Sequence, residues 1–376
     1  MNAPIELPKG LSRQVSTLSD SLAQFHRILQ GRYPQIGRLA LAPYDAGTDL
    51  LKTFVSSNDD QQPLTRYQAL LKDVPSLQGL MDRRETRVID DIQESLPVST
   101  RHTEWLKSRD YRSSYTVPIF HNEELAAFLF FDAKEPYFFT PKTTEFLDIF
   151  GRIVAQLYLL RVAAARSLVG AVDIASGLAR MRDVETGQHL ERMAAYARLI
   201  ALGVADRFTL SDEHIEYIHL FAPLHDIGKV GIPDRILLKP GRLDGEEWAI
   251  MKTHVEIGIA LADRMIRDLD LQDDLAGRVM KDIVSGHHER GDGSGYPTGL
   301  GLADIPVEAR MIAVADVYDA LSSRRPYKEA WDEVRCFTEL AKEVETGRLD
   351  PDCVAALAAA PEEREAIRRR FSDIDE

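Results

Sequence analysis

The hydrophobic period of this chain changes once, near Pro141, and that change sets the outline of any fold it can adopt. Ahead of it, "IGRLALAPYD", "LLKTFVSS", "RVIDDI", "SSYTVPIF" and "ELAAFLFFDAK" are short, rich in β-branched and aromatic residues, and bounded by turn formers, which is the signature of strands. The last two are separated only by "HNE", a hairpin-length connection, and "LSDSLAQFHRILQG" has helical spacing with a glycine stop. From about residue 183 onward every clear segment has a helical period: "LERMAAYARLIALGVA", "EHIEYIHLFAPLHDIG", "GEEWAIMKTHVEIGIALADRM", "RVMKDIVSGHHE" and "PVEARMIAVADVYDALSS". A length of 376 residues suits about two domains. The expected architecture is an α+β domain with an antiparallel sheet over 1–145, a linker helix over 146–182, and an all-α domain over 183–376.

The segment "YRSSYTVPIFHNEELAAFLFFDAKEPYFFTPKTTEFLDIFGRIVAQL" resembles a GAF domain. A Ser-rich start leads into a strand, a "vPI" turn, a second strand and a departing helix. The resemblance spans about residues 20–160 and implies a ligand sensor, a redox sensor or a dimerisation module. No cysteine is placed to hold a bilin and no haem ligand is evident. His102 and His121, the histidines of the sheet region, read as structural side chains, and the ligand of this domain stays unnamed.

From Pro141, suited to a first helical turn, to about Arg182 the pattern is helical. Phe146, Phe150, Ile153, Leu157, Leu160 and Ala164 recur at heptad-like spacing, although Gly151 and Gly170 interrupt it. One reading is a helix packed on its own domain. The other, expected here, is a signalling helix that pairs two copies as a homodimer.

A formal net charge of −14 argues against duplex nucleic acid as a partner. It leaves room for a small phosphorylated ligand held by metal ions and local cations. Cys336 and Cys353 are too few and too far apart for a disulfide framework or a thiolate zinc site. They read as free thiols in a reducing compartment. The N-terminal "MNAPIELPKGLSRQ" has no apolar core of signal-peptide length. The apolar run "IVAQLYLLRVAAA" contains Arg161 and follows Arg152, too charged for a membrane span. A cytoplasmic protein with no membrane partner is expected.

Chemistry concentrates in the helical part. Glu185 and His189 in "DVETGQHLER" are four apart, one helical face. His225 and Asp226 stand together in "IHLFAPLHDIG", a run that otherwise reads as buried, where a charge is costly unless paired or metal-bound. Lys229 follows one turn on. His254 lies in "MKTHVEIG", His287 and His288 end a helical segment, and Asp316 sits within the apolar "MIAVADVYDAL". Five imidazoles and three carboxylates without a thiolate suit Fe, Mn, Zn, Co or Ni in a multi-ion hydrolytic site. The glycine-rich "RGDGSGYPTGL" after the paired histidines would let backbone pass close to a substrate, with Tyr296 offering a ring and a hydroxyl.

These motifs in this order resemble an HD-GYP domain of the HD superfamily of metal-dependent phosphohydrolases. His225-Asp226 match the HD pair, Gly295-Tyr296-Pro297 the GYP triplet, and "ADVYDALSSRRPYK" the segment around and after the last metal-binding Asp. The resemblance covers about residues 175–370 and implies a cyclic di-GMP phosphodiesterase yielding pGpG or GMP. It implies Glu185, His189, His225, Asp226, His254, His287, His288 and Asp316 as ligands of two or three transition-metal ions, iron or manganese first. It further implies that Asp226 bridges two ions, that Glu185 serves a third, and that Lys229 stabilises phosphate charge. Tyr296 would contact the substrate, while Arg325 and Lys328 would grip its distal phosphate or guanine. One departure is Gly291, where the family often has a large residue. The alternatives are another cyclic dinucleotide, such as a mixed GMP-AMP ring, and a cyclic di-GMP receptor without turnover.

Overall fold

The computed structural model describes residues 17–371, apart from 47, 59–63, 97–99, 181–186, 270, 273 and 324–329; in the long central helix and at its far end, the side chains of 161, 163–180 and 187 are likewise left aside. The chain forms two compact units: Leu18–Arg166 with Ser211–Glu216, and Ser167–Leu210 with Tyr217–Glu376.

In the N-terminal unit, the expected strands appear as β1 (Ile36–Asp45), β2 (Leu50–Lys52), β3 (Val55–Asn58), β5 (Arg87–Ile89), β6 (Ser113–His121) and β7 (Glu124–Ala133), joined by a short β4 (Gln68–Leu70). The sheet order is β4-β2-β1-β7-β6-β5, with β3 also pairing β1, and every pairing is antiparallel. "LLKTFVSS" is therefore two strands, broken at Thr53-Phe54, that pair successive stretches of β1. The β6–β7 hairpin closes with His121 opposite Glu124. Its loop residues Asn122 and Glu123 both have positive φ (49° and 73°), the backbone of a type I′ turn, whose twist matches that of the strands it joins.

Every residue of β7 after Glu124 is buried, because helices cover both faces of the sheet. On one face Pro75–Arg83 packs Leu77 and Leu80 against Ala40, Leu51, Phe128 and Phe130. The 40-residue helix Pro141–Arg180 begins in this unit and buries Leu147, Phe150, Val154 and Tyr158. Phe150 meets Phe25 edge-on at 5.9 Å and Tyr158 meets Phe54 at 6.1 Å. This divides the expected dimer seam: Phe150 belongs to its own domain's core, whereas Ile149, Ile153 and Leu160 are exposed. The helix also starts earlier than the expected linker, at Pro141, and its residues to Arg166 count with the first unit.

The second unit is helical, with Gly187–Phe208, His254–Asp268, Leu275–Gly286 and Val307–Ser322 as its longer helices up to the last of the expected ligands, and it takes the end of Asp212–Phe221 from Tyr217 onward. The helix Val307–Ser322 is buried on nearly every side, including Met311, Ile312, Val314, Ala315 and Tyr318. Tyr318 meets Tyr196 of Gly187–Phe208 edge-on at 5.0 Å. Pro223 and the polar pair after it end the regular helix at Phe221, and the chain continues in two 3₁₀ turns, Ala222–Leu224 and Ile227–Gly231. Cys336 and Cys353 are buried free thiols. Among the described residues, no helix is long and apolar enough to cross a membrane.

Candidate metal centre

The polar pair sits where the helix breaks. His225 is buried at the end of the first 3₁₀ turn and Asp226 precedes the second. Gly228 in that second turn lies against the helix His254–Asp268 so closely that a Cβ there would stand 1.8 Å from the His254 carbonyl oxygen. Only glycine permits this approach, and it brings His254 to Asp226. His287 and His288 follow the C-terminus of Leu275–Gly286. Asp316 projects from the middle of Val307–Ser322, and His189 from the first turn of Gly187–Phe208.

Seven of the eight expected ligands come together in two groups. Asp226, His254, His287 and His288 form one, and His189, His225 and Asp316 the other, each with potential ligand atoms within 4.8 Å of one another. Asp226 joins them. Its Oδ1 faces His254 Nε2 at 3.1 Å and His287 Nε2 at 3.6 Å, while its Oδ2 faces His225 Nε2 at 3.2 Å and Lys229 Nζ at 2.9 Å. Glu185, Arg325 and Lys328 lie outside the described residues.

The other nitrogen of each ring decides what these approaches mean. His225 Nδ1 donates to the Ala222 carbonyl at 2.9 Å, His254 Nδ1 to Met251 at 2.8 Å, and His287 Nδ1 to Val284 at 3.1 Å. A carbonyl oxygen can only accept, so the proton of each neutral imidazole is on Nδ1 and a lone pair is on Nε2. Those lone pairs point at a carboxylate, acceptor against acceptor. Nε2 of His189, His254 and His287 and Oδ1 of Asp226 are buried without a hydrogen-bond partner. Such a set is balanced by a cation held among them, and the residues fit metal ions of the kind that imidazole and carboxylate bind.

The electrostatics agree. Burial works to raise the Asp226 pKa, but the Lys229 ammonium and the neighbouring imidazoles outweigh it and hold the carboxyl well below its ordinary range. Burial lowers the pKa of His287 and, far more strongly, that of His288, so both rings are neutral and able to ligate.

Three groups were missed by the sequence reading. Asp319, one helical turn after Asp316, accepts from His189 Nδ1 at 2.6 Å and from Arg192 Nε at 2.7 Å. Its burial works to raise its pKa, yet these two partners bring it below the ordinary value. Glu289, directly after the paired histidines, is buried and accepts from Thr298 N and Oγ1, Gly299 N and Leu300 N at 2.6 to 3.2 Å. It fastens the loop that carries Tyr296. Gly295 in that loop has the Glu289 and Arg290 backbone where a Cβ would stand, 2.3 Å away at the nearest atom. Tyr296 is held over the centre, its ring 4.7 Å from that of His288. Trp248 and Lys252, the third contribution, approach the same tyrosine ring at 6.4 and 5.8 Å. Trp248 and Glu289 gave a weak signal at most, being ordinary members of helical or polar runs. Asp319 was detectable as a second acid in a buried segment.

Comparison with known proteins is consistent with both halves of this description. Residues 26–157 match the GAF domain family and residues 175–353 the HD domain family. A cyclic di-GMP phosphodiesterase response regulator, RpfG, of Xanthomonas campestris pv. campestris is 46% identical over 198 residues, 51% of this chain and 47% of that protein. A 3'3'-cGAMP-specific phosphodiesterase 2 of Vibrio cholerae serotype O1 is 42% identical over 193 residues, 51% of this chain and 34% of that protein. A cyclic di-GMP phosphodiesterase of Thermotoga maritima is 40% identical over 205 residues, 54% of this chain and 52% of that protein. The chain thus spans about a third to a half of the length of these relatives.

Proposed function

We propose that this chain, which carries a GAF domain followed by an HD domain, is a metal-dependent phosphodiesterase that hydrolyses cyclic di-GMP to pGpG or GMP. The observation that carries the reading is the set of buried imidazole lone pairs converging on Asp226. A receptor that only bound a dinucleotide would have no use for that set. Two or three iron or manganese ions, held by the seven converging ligands and by Glu185, would supply an activated water and positive charge for a phosphate oxygen.

The chain's own residues do the rest. Asp226 presents one carboxylate oxygen to each ligand group and serves both. Lys229 brings a cation to the same carboxylate, 2.9 Å from Oδ2, where it can neutralise charge that grows on a transferring phosphoryl group. Tyr296 offers a flat ring and a hydroxyl at the mouth of the centre, on a loop fixed by Glu289. Arg325 and Lys328 bind the distal phosphate or guanine. The exposed Ile149, Ile153 and Leu160 support a homodimer through the long helix, and the GAF domain regulates turnover without taking part in it, since it supplies none of the ligands.

A second reading is favoured by the 42% identity to a 3'3'-cGAMP-specific enzyme: the substrate is the mixed GMP-AMP ring. The test is turnover of purified chain, loaded anaerobically with Fe(II) or Mn(II), on both rings side by side. Faster hydrolysis of cyclic di-GMP supports the first reading and faster hydrolysis of the mixed ring the second. Tight binding of either ring with no product from a metal-loaded preparation would leave only the receptor.

A further inference from the structure

The N-terminal unit contains a cavity of about 280 Å³ between its sheet and the helices Pro75–Arg83 and Arg101–Ser108. Its walls are largely apolar, with Leu51, Leu64, Leu77, Leu106 and Phe130 among them, but they also hold Arg38, Arg87 and His102. Arg38 is buried and Arg87 partly so, and withdrawing guanidinium groups from water in such surroundings is costly unless anions answer them.

Among the described residues, a carboxylate pairs with one of the two. Arg38 Nη1 pairs with Asp132 Oδ2 at 2.5 Å, and both side chains are buried. The second oxygen of Asp132 is already taken by Ser114 Oγ at 2.6 Å. Arg87 reaches Thr116 Oγ1 at 3.4 Å, and its Nε is buried with no hydrogen-bond partner. Among the described residues, no carboxylate lies within ion-pair distance of Arg87, and Asp132 acts on it only from further off. The remaining charges on the wall do not help. Lys52 is engaged by Asp45 at 3.7 Å, and Asp73 is exposed to solvent. His102 is neutral, because burial first and then Arg38 and Arg87 lower its pKa to about 3. Among the described residues, the wall therefore carries one positive charge, that of Arg87, with no carboxylate at ion-pair distance.

The shape beside that charge is flat and aromatic. The His102 ring lies 6.1 Å from Tyr67 and 5.6 Å from Phe130. Such walls accept a planar body, and a cavity at the small end of ligand pockets limits it to a small molecule.

We propose that this cavity is a binding site for a small, singly charged aromatic anion, its carboxylate paired with Arg87 and its ring between Tyr67, His102 and Phe130. The site is separate from the candidate metal centre and does not depend on the hydrolase reading.

The experiment is calorimetric titration of the full chain with phenylacetate, phenylacetamide and phenyl phosphate. Phenylacetate should bind about ten- to a hundredfold more tightly than its neutral amide, the usual worth of a charge-assisted hydrogen bond. Phenyl phosphate, largely doubly charged near neutral pH, should bind more weakly than phenylacetate. Arg87→Met should erase the preference for acid over amide, and Arg87→Lys should keep part of it. Without ligand, Arg87→Met should melt no lower than the parent, since it replaces a partly buried guanidinium that, among the described residues, has no carboxylate at ion-pair distance. Equal affinity for acid and amide, no saturable binding of the acid at millimolar concentration, or a preference that survives Arg87→Met would each overturn the proposal. Tighter binding of phenyl phosphate would overturn the single-charge assignment.

Discussion

His189 Nδ1 stands 2.6 Å from Oδ2 of Asp319, a carboxylate that is itself buried and held by Arg192. The pair fixes the His189 tautomer and leaves the lone pair on Nε2, the nitrogen available to the group with His225 and Asp316. Asp319→Asn keeps the shape and removes the charge. Metal affinity should fall about ten- to a hundredfold, as it does when such outer carboxylates are lost. Competition with a chelator of known affinity at fixed pH measures this, and unchanged affinity would mean that Asp319 only holds Arg192.

Glu185→Ala and Asp226→Ala should differ in kind. Glu185 stands four residues before His189 and is expected to serve the ion furthest from the HD pair. Its loss should lower metal content by about one ion and slow the second cleavage, pGpG to GMP, most, because the terminal phosphate carries more charge. Asp226→Ala should abolish turnover, since among the described residues no other carboxylate faces both ligand groups. Metal stoichiometry and product analysis on both variants are the checks; full metal content and an unchanged product ratio in Glu185→Ala would reduce that residue to a surface acid.

Glu289→Ala should release the Tyr296 loop without emptying the centre. Four donors lose a buried carboxylate acceptor, and each bond to a charged group is worth about 1.5–3 kcal/mol. The expected outcome is a raised KM with metal content near that of the parent, and partial recovery in Glu289→Gln. Loss of metal in step with loss of activity would show that the loop and the centre form one unit.

Ile153→Lys with Leu160→Lys should convert a dimer into a folded monomer, because both side chains are exposed. Phe150→Lys should instead destabilise the N-terminal unit, where that ring is buried against Phe25. Light scattering with thermal melting separates the two effects, and a monomeric parent would remove the basis for the interface.

His102 should make the N-terminal unit sensitive to acid. Its folded pKa is lowered from 6.5 to about 3, so between those values the unfolded chain binds a proton that the folded one refuses. This stability contribution is complete above 6.5 and is lost as pH falls from 6.5 toward 3. Melts of the full chain against pH should therefore fall more steeply for the parent than for His102→Gln across that window. Parallel curves would show that the ring is solvated and titrates normally.

Much of the fold was legible because its signals are local. The β6–β7 hairpin follows from two aromatic-rich runs and a two-residue turn. The candidate ligands stood out because His225, Asp226 and Asp316 interrupt apolar runs, where an unpaired charge would be too costly. What escaped depends on contacts distant in sequence. The three-residue strand Gln68–Leu70 has no periodicity to detect. Heptad spacing could not separate the stripe through Phe150 from the neighbouring one through Ile149 and Ile153, since both are apolar and only the sheet decides which is covered. Arg38 and Arg87 looked like the polar members of strands, and nothing near them in sequence says that both line one cavity with Asp132 answering only the first.

Gly228 sets what is stiff in the candidate metal centre. With backbone lying directly on backbone there, Asp226 and His254 form one block that cannot part by small degrees. His189 is held separately, in the first turn of Gly187–Phe208 and against Asp319. A side chain at position 228 would therefore disturb the candidate centre from within, by forcing the Asp226 turn off the helix that carries His254.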